Sequence, residues 1–313
     1  MRRSTLFSAL LALTCVAFAQ RSMPPAEVAT DTLEWNRPAN RATCPDSPTY
    51  LWVQSRSGPA CIRYFASEGL QQAPVVIVQF SGDRDDLMDL PPTQIPGNTI
   101  AARLRDAQRS YERAGVPWVF VARPGTYGSS GDHRARRQES EALAMDAAVT
   151  ALMERQGIGR VVLLGHSGGA TVAASILTHG RTGVACAVLT SGAYSLLERA
   201  RMLGRSRGGR TDTTGSTNFY DPLDHIDGVA KDPARQILVI GNRDDRNTPF
   251  ALQEKFARAL MAAGHQVVVM THAAEPPEFH DLKDLIGPRM ASVCARQNLS
   301  AESTAIPPRG ATP

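Results

Sequence analysis

Residues 161–178 constrain this chain more than any other stretch. Residues 161–164 (VVLL) are an unbroken apolar run. Gly165, His166, Ser167, Gly168 and Gly169 follow, and then a series of small residues. This order predicts a strand buried on both faces, a sharp turn at Ser167 and a helix reaching about Thr178. Glycines are required because a side chain would clash across so tight a turn. The turn lifts the serine hydroxyl out of the sheet and sets it beside the first amides of the new helix. The same G-x-S-x-G pattern recurs at 204–208 (GRSRG), but residues 198–203 before it hold no β-branched strand, and a polar stretch follows. That copy reads as a flexible basic loop.

Around the turn, strand and helix patterns alternate. Two strands, 49–54 and 60–66, flank a turn at 55–58, and strands follow at 75–80, 118–122, 184–190, 236–240 and 266–270. Helices are expected at 99–114, 139–156, 250–263 and 281–296, with Gly115 and Gly157 closing the first two. The alternation predicts an α/β fold: a mainly parallel sheet, opened by an antiparallel hairpin, with helices on both faces. Ligands then bind at the carboxyl ends of the strands. Residues 192–231 form an insertion without clear periodicity, placed as a short lid or a plain surface loop.

The first residues have the pattern of a secretory signal. Arg2 and Arg3 precede an apolar run, and Ala17-Phe18-Ala19 offers a cleavage site before Gln20. The run is short for a membrane span, and no second long apolar segment exists. Residues 20–43 read as an extended lead-in, 44–298 as the main domain and 299–313 as a disordered tail. The net charge is +4, and half of it sits on Arg2 and Arg3, so charge offers no case for nucleic acid or a membrane surface. Cys44, Cys61, Cys186 and Cys294 permit two disulfides in an exported chain. Cys44–Cys61 would tie the N-terminal hairpin, and Cys186–Cys294 a core strand to the last helix; free buried thiols are the alternative. No metal-ligand spacing is present.

A serine hydroxyl needs a base, and the base needs a carboxylate to hold its tautomer. In a strand–turn–helix hydrolase these follow in the order Ser, acid, His, on loops after later strands. The strand at 236–240 leads into Gly241-Asn242-Arg243-Asp244-Asp245. Asp244 is the candidate acid, three residues past the glycine, with Asp245 as its competitor; otherwise both simply cap the next helix. His280 is the candidate base because its loop can swing the ring toward Ser167, whereas His272 directly follows a strand. His166 is expected to pack or hydrogen-bond beside its strand, and His133, His179 and His225 to be surface or loop histidines. The oxyanion of an acyl transfer needs two donors. The Gly168 N–H is one, and the N–H of Gly82 or Asp83, after the strand 75–80, is the other. A carboxylate at Asp83 opposes an oxyanion unless it faces away or pairs with Arg84.

These residues resemble the α/β-hydrolase superfamily from about Thr49 to Arg296. Arg123-Pro124-Gly125-Thr126-Tyr127-Gly128-Ser129-Ser130-Gly131 resembles that superfamily's R-x-G-x-G-x-S loop. Tyr220-Asp221-Pro222-Leu223, followed by the strand and G-x-x-D-D-R, is similar to the catalytic domains of prolyl-oligopeptidase-type peptidases and dienelactone-hydrolase-like enzymes. The resemblance implies a serine hydrolase with nucleophile Ser167, acid Asp244 and base His280, and with no cofactor or metal. The expectation is an exported carboxylic-ester hydrolase acting on a small molecule. A peptidase or amidase using the same residues on short peptides is the alternative, with the basic run 199–210 holding a carboxylate. A non-catalytic binding protein on the same fold is the third. The six tyrosines, nine phenylalanines and three tryptophans are spread along the chain, so no wide aromatic groove is expected.

Overall fold

Eight strands form the sheet in the order β1-β2-β4-β3-β5-β6-β7-β8. They are β1 (Tyr50–Ser55), β2 (Gly58–Ala66), β3 (Val75–Phe80), β4 (Trp118–Val121), β5 (Arg160–His166), β6 (Val184–Thr190), β7 (Gln236–Gly241) and β8 (Gln266–Thr271). The computed structural model describes residues 31–284 and 286–305. The signal-like segment 1–19, residues 20–30 of the lead-in and the end of the tail, 306–313, lie outside the described residues. Strands β1 and β2 form an antiparallel hairpin, β2 pairs antiparallel with β4, and every later pairing is parallel. The expected mainly parallel sheet with an antiparallel opening is the one observed.

Alternating side chains divide the strands between two cores, as the pleat requires. Val76, Val78 and Phe80 face one side with Met145, Val149 and Phe256. Val75 and Ile77 face the other side with Ala114, Ala291 and Ala295. Helices α2 (Glu139–Gln156), α3 (Gly168–Thr178) and α5 (Phe250–Ala262) therefore cover the first face, and α1 (Ile100–Ala114) and α6 (Ile286–Ala305) the second. Helix α1 starts where Thr99 accepts the Ala102 N–H in its side chain, and it stops at Gly115, which adopts φ 65°. Every residue of α3 is buried. Only a run of small residues lets a helix lie so close to the sheet.

Two expectations change. The insertion 192–231 contains a helix, α4 (Leu196–Met202), capped by the Asp221 carboxylate, which accepts the Leu196 N–H at 2.8 Å. Its seven residues are too few to show a clear helical period. The last helix begins at Ile286 rather than 281 and runs on through 299–305, where a disordered tail was expected. In the lead-in Leu33 is buried and donates its N–H to Asn98 O at 3.1 Å. Two disulfides join Cys44 to Cys61 and Cys186 to Cys294, the latter linking β6 to α6. Among the described residues no helix is long and apolar enough to cross a membrane.

Candidate active site

Parallel register brings Phe80, the end of β3, beside Gly165, and His166, the end of β5, beside Thr190. The loops after these strands therefore meet at one edge of the sheet. At the end of β5 Ser167 adopts φ 53° and ψ −122°, a conformation rarely open to a side-chain-bearing residue. Its N–H is held by Thr190 O at 2.9 Å. The pattern's two glycines are fixed by close approach. A Cβ at Gly165 would lie 2.3 Å from Gly169 O, and one at Gly169 would lie 2.2 Å from Phe80 O. By contrast, 204–208 follows α4 with no strand before it, and a short 3-10 turn crosses it.

His280 sits beyond β8, and its Nδ1 donates to Asp245 Oδ2 at 2.9 Å. The carboxylate that meets His280 is therefore Asp245, the competitor, and not Asp244, the candidate acid. Asp244 is exposed, and its N–H donates to Asn242 Oδ1 at 2.8 Å. The turn closed by the bond from Asp245 N–H to Asn242 O carries the fourth residue after Gly241, not the third, toward the sheet. Asp245 Oδ1 accepts the N–H groups of Asn247 and Thr248 at 2.9 and 2.8 Å, and its Oδ2 accepts Thr248 Oγ1 at 2.8 Å. The carboxylate side chain is fully buried and both of its oxygens are hydrogen-bonded. One signal in the sequence pointed there: Asp245 with Thr248 three residues on is a side-chain turn motif.

The rest of the base is equally constrained. Ser191 Oγ donates to His280 O at 2.8 Å, and Arg246 N–H donates to Glu278 O at 3.0 Å, binding the acid loop to the histidine loop. His280 Nε2 is buried and has no hydrogen-bond partner among the described residues. The ring of His166, adjacent to Ser167, lies 5.1 Å from that of His280. No hydrogen bond joins Ser167 Oγ to His280 Nε2; such bonds are often long in unliganded sites and tighten with substrate. His166 behaves as expected, its Nδ1 within 3.1 Å of Thr190 Oγ1. Burial, then the neighbouring His280, pushes its pKa down to about 3, so it stays neutral. His272 is half-buried and its Nδ1 faces Ala273 O.

Gly82 faces the elbow: a Cβ there would lie 3.4 Å from Ser167 Cβ. The N–H groups of Gly82, Asp83 and Gly168 make no hydrogen bond among the described residues. Asp83 resolves differently from expectation, because its partners are three other arginines, not Arg84. Its carboxylate lies 2.9 Å from Arg123 Nη1 and 3.5 Å from Arg136 Nε, and it also pairs with Arg137. Burial alone would raise its pKa, yet Arg137, Arg123 and Arg136 hold it well below the usual range. The Asp83 charge is thereby neutralised beside Gly168. Arg123, itself fully buried, also donates to Glu141 at 2.8 Å and to Ser81 O at 3.1 Å, which fixes the loop carrying Gly82. His133 is not a surface histidine. It is buried and accepts the Arg84 N–H at Nε2, 3.3 Å away.

The insertion binds both sides of this arrangement. Thr213 Oγ1 accepts from Arg199 at 2.8 Å and also from Arg137. Arg199 Nε donates to Asn247 O at 2.7 Å, within the acid loop. Burial pushes the Arg199 pKa down to about 9, and Arg137 adds to the effect. Arg199 is thus a buried strut, not the start of a solvated basic run. Beside the elbow, between α1 and α6, a cleft of about 530 Å³ opens at Gly82 and His166. Phe65, Trp118, Phe120 and Tyr127 line it, so aromatic residues that looked scattered in sequence converge in space. Among the described residues no group of three or more His, Cys, Asp or Glu is placed to hold a metal ion.

No family model and no curated protein matches the sequence. Solved structures do resemble the fold. An acylaminoacyl peptidase of Pyrococcus horikoshii is 16% identical, with a TM-score of 0.50, over 85% of this chain and 43% of its own. This chain thus spans less than half of that peptidase. An esterase of Pyrococcus furiosus is 13% identical, with a TM-score of 0.53, over 80% of this chain and 91% of its own. An esterase of Butyrivibrio proteoclasticus, solved with ferulic acid bound, is 10% identical, with a TM-score of 0.55, over 81% of this chain and 99% of its own. Strand order, elbow and these neighbours agree: the chain has the α/β-hydrolase fold.

Proposed function

We propose that this protein is an exported serine hydrolase that cleaves small carboxylic esters. The observation that carries the reading is His280. Asp245 fixes its Nδ1–H, which leaves the buried Nε2 as the free acceptor beside the elbow that presents Ser167. In the proposed cycle Ser167 Oγ attacks the ester carbonyl carbon while His280 Nε2 takes its proton. The N–H of Gly168, with that of Gly82 or Asp83, receives the oxyanion. The C–O bond to the alcohol breaks as His280 returns the proton to the leaving oxygen, giving an acyl-enzyme on Ser167. Water, deprotonated by His280, then releases the acid. Asp245 supports the imidazolium throughout.

An esterase stands among the neighbours that share this fold, which supports ester substrates. The basic run that would have held a peptide carboxylate is also partly spent, since Arg199 is locked to Asn247 and Thr213. Export is supported by the N-terminal sequence pattern and fits the two disulfides. The test compares kcat/KM for 4-nitrophenyl acetate and butyrate with that for aminoacyl-4-nitroanilides, using the wild type and Ser167→Ala. The reading requires ester turnover that Ser167→Ala abolishes. Faster cleavage of the anilides would replace the esterase reading with the peptidase one.

A further inference from the structure

A helix laid on a sheet should turn an apolar face to its neighbours. Helices α1 and α6 do not do so where they face each other. Arg103, Asp106, Ser110 and Arg113 of α1 stand on one side of the cleft, at helical spacing. Arg289, Ser292 and Arg296 of α6 stand on the other. The half-buried ring of Phe120 lies at the floor, backed by the buried Trp118 and Phe65. Trp118 is held in place by its Nε1–H, which donates to Gln79 Oε1 at 2.9 Å.

The charge in the cleft is unbalanced. Seven Lys and Arg side chains line it against the carboxylates of Asp106 and Asp284. Both acids are already engaged, Asp106 by Arg103 at 2.7 Å and by Arg109, and Asp284 by Lys283 at 3.4 Å. Arg84, Arg113, Arg289 and Arg296 have no carboxylate partner among the described residues. Nε of Arg84 and Nε of Arg103 are both buried without a hydrogen-bond partner there. A cation surplus over an aromatic floor, in a volume typical of small-molecule sites, matches one kind of ligand. Its flat apolar part would lie against Phe120, and its acid group would pair with the guanidiniums.

We infer that the cleft between α1 and α6 is a substrate subsite for an aromatic group that carries a carboxylate. Its mouth at Gly82 and His166 adjoins Ser167, so the bound aromatic acid and the scissile ester belong to one molecule. This assignment deepens the ester-hydrolase reading and rests on it for the ligand's being part of a substrate. The preferred substrates are aromatic esters that keep one free carboxylate.

Two measurements test it. The first is calorimetric binding of 2-naphthoate and of the neutral 2-naphthamide to the wild type and to Arg113→Gln/Arg289→Gln. Both arginines are exposed, and each protein's melting temperature confirms that it is folded. Naphthoate should bind the wild type at least about tenfold more tightly than the amide, and the variant should lose most of that difference. Added salt should weaken naphthoate alone. The second is the kcat/KM ratio for the monomethyl half-ester of naphthalene-2,6-dicarboxylic acid over methyl 2-naphthoate. A ratio of about ten or more in the wild type, falling toward one in the variant, supports the subsite. Equal binding of acid and amide, or a ratio near one in the wild type, overturns it. Turnover of 4-nitrophenyl acetate without any carboxylate preference removes the subsite and leaves the hydrolase. Selective naphthoate binding without ester turnover removes the hydrolase and leaves an anion-binding cleft.

Discussion

Replacing Asp245 by Asn is the sharpest perturbation of the proposed machinery. Asp245 Oδ1 accepts two backbone N–H groups, from Asn247 and Thr248, which an asparagine oxygen can keep. The amide nitrogen of Asn then falls at Oδ2, 2.9 Å from His280 Nδ1. Two donors cannot face each other there, so Nδ1 must become the acceptor and the ring proton must move to Nε2. That nitrogen is the one required to accept the proton of Ser167. The fold survives, because no buried charge is stranded and Thr248 Oγ1, which also meets Oδ2, can give its proton to Ser191 O at 2.9 Å instead, yet the base is held in the wrong tautomer. A change of this kind lowers kcat by about 10⁴-fold, or about 5.4 kcal/mol in the barrier. Asp244→Asn, an exposed change with no contact to His280, should stay within about twofold of wild type. The assay is steady-state hydrolysis of 4-nitrophenyl acetate, with melting temperatures as the folding control. The reasoning is refuted if folded Asp245→Asn keeps more than about a tenth of wild-type kcat, or if Asp244→Asn falls as far.

The remaining predictions concern the loops around the serine. Gly168→Ala places a methyl group 2.0 Å from Asp83 Oδ1 and 2.8 Å from Arg123 Nη1, so the loop at 81–83 must shift. Ester turnover should fall by about a hundredfold or more while labelling by small phosphonates slows, and near-normal turnover would separate this loop from the oxyanion. Arg123→Met strips the buried Glu141 of its arginine partner and Asp83 of one of its three, and should cost about 3–5 kcal/mol in denaturant unfolding; a loss below about 1 kcal/mol would contradict the network's role. The pKa of His133 is pushed down to about 3, chiefly by burial and then by Arg123. Between its unfolded value near 6.5 and that folded value, the unfolded chain binds more protons, so this histidine's contribution is present above about pH 6.5 and is lost as pH falls toward 3. His133→Gln should therefore flatten the acid limb of a melting-temperature-versus-pH curve, and an unchanged limb would mean that His133 is not the group responsible.

Much of this architecture is legible in the residues because its strands are buried on both faces. Residues 75–80 and 184–190 are apolar apart from Gln79 and Thr190, and the helices carry glycine stops at Gly115 and Gly157, so local pattern and tertiary role coincide. The elbow was readable because Gly165 is demanded by its contact with Gly169, four residues on, although Gly169 itself is demanded by Phe80 of the adjacent strand. What could not be read depends on distant partners. Asp244 and Asp245 are chemically identical neighbours, and only the turn at Asn242 decides which one faces His280. Asp83 looked misplaced because Arg123, Arg136 and Arg137 are some forty to fifty-four residues away along the chain. His133 is buried by the loop at Arg84, which no periodicity announces. Phe65, Trp118 and Phe120 meet only because β2 and β4 pair in the sheet.

The central claim is that Ser167 is the nucleophile and His280 its base, and one measurement addresses both directly. The protein is treated with a fluorophosphonate, digested and analysed by mass spectrometry, alongside His280→Gln and His272→Gln. The account predicts a single stoichiometric adduct on Ser167, lost in His280→Gln and retained in His272→Gln. An adduct on another serine, no adduct on the folded wild type, or loss of labelling in His272→Gln but not in His280→Gln would contradict it.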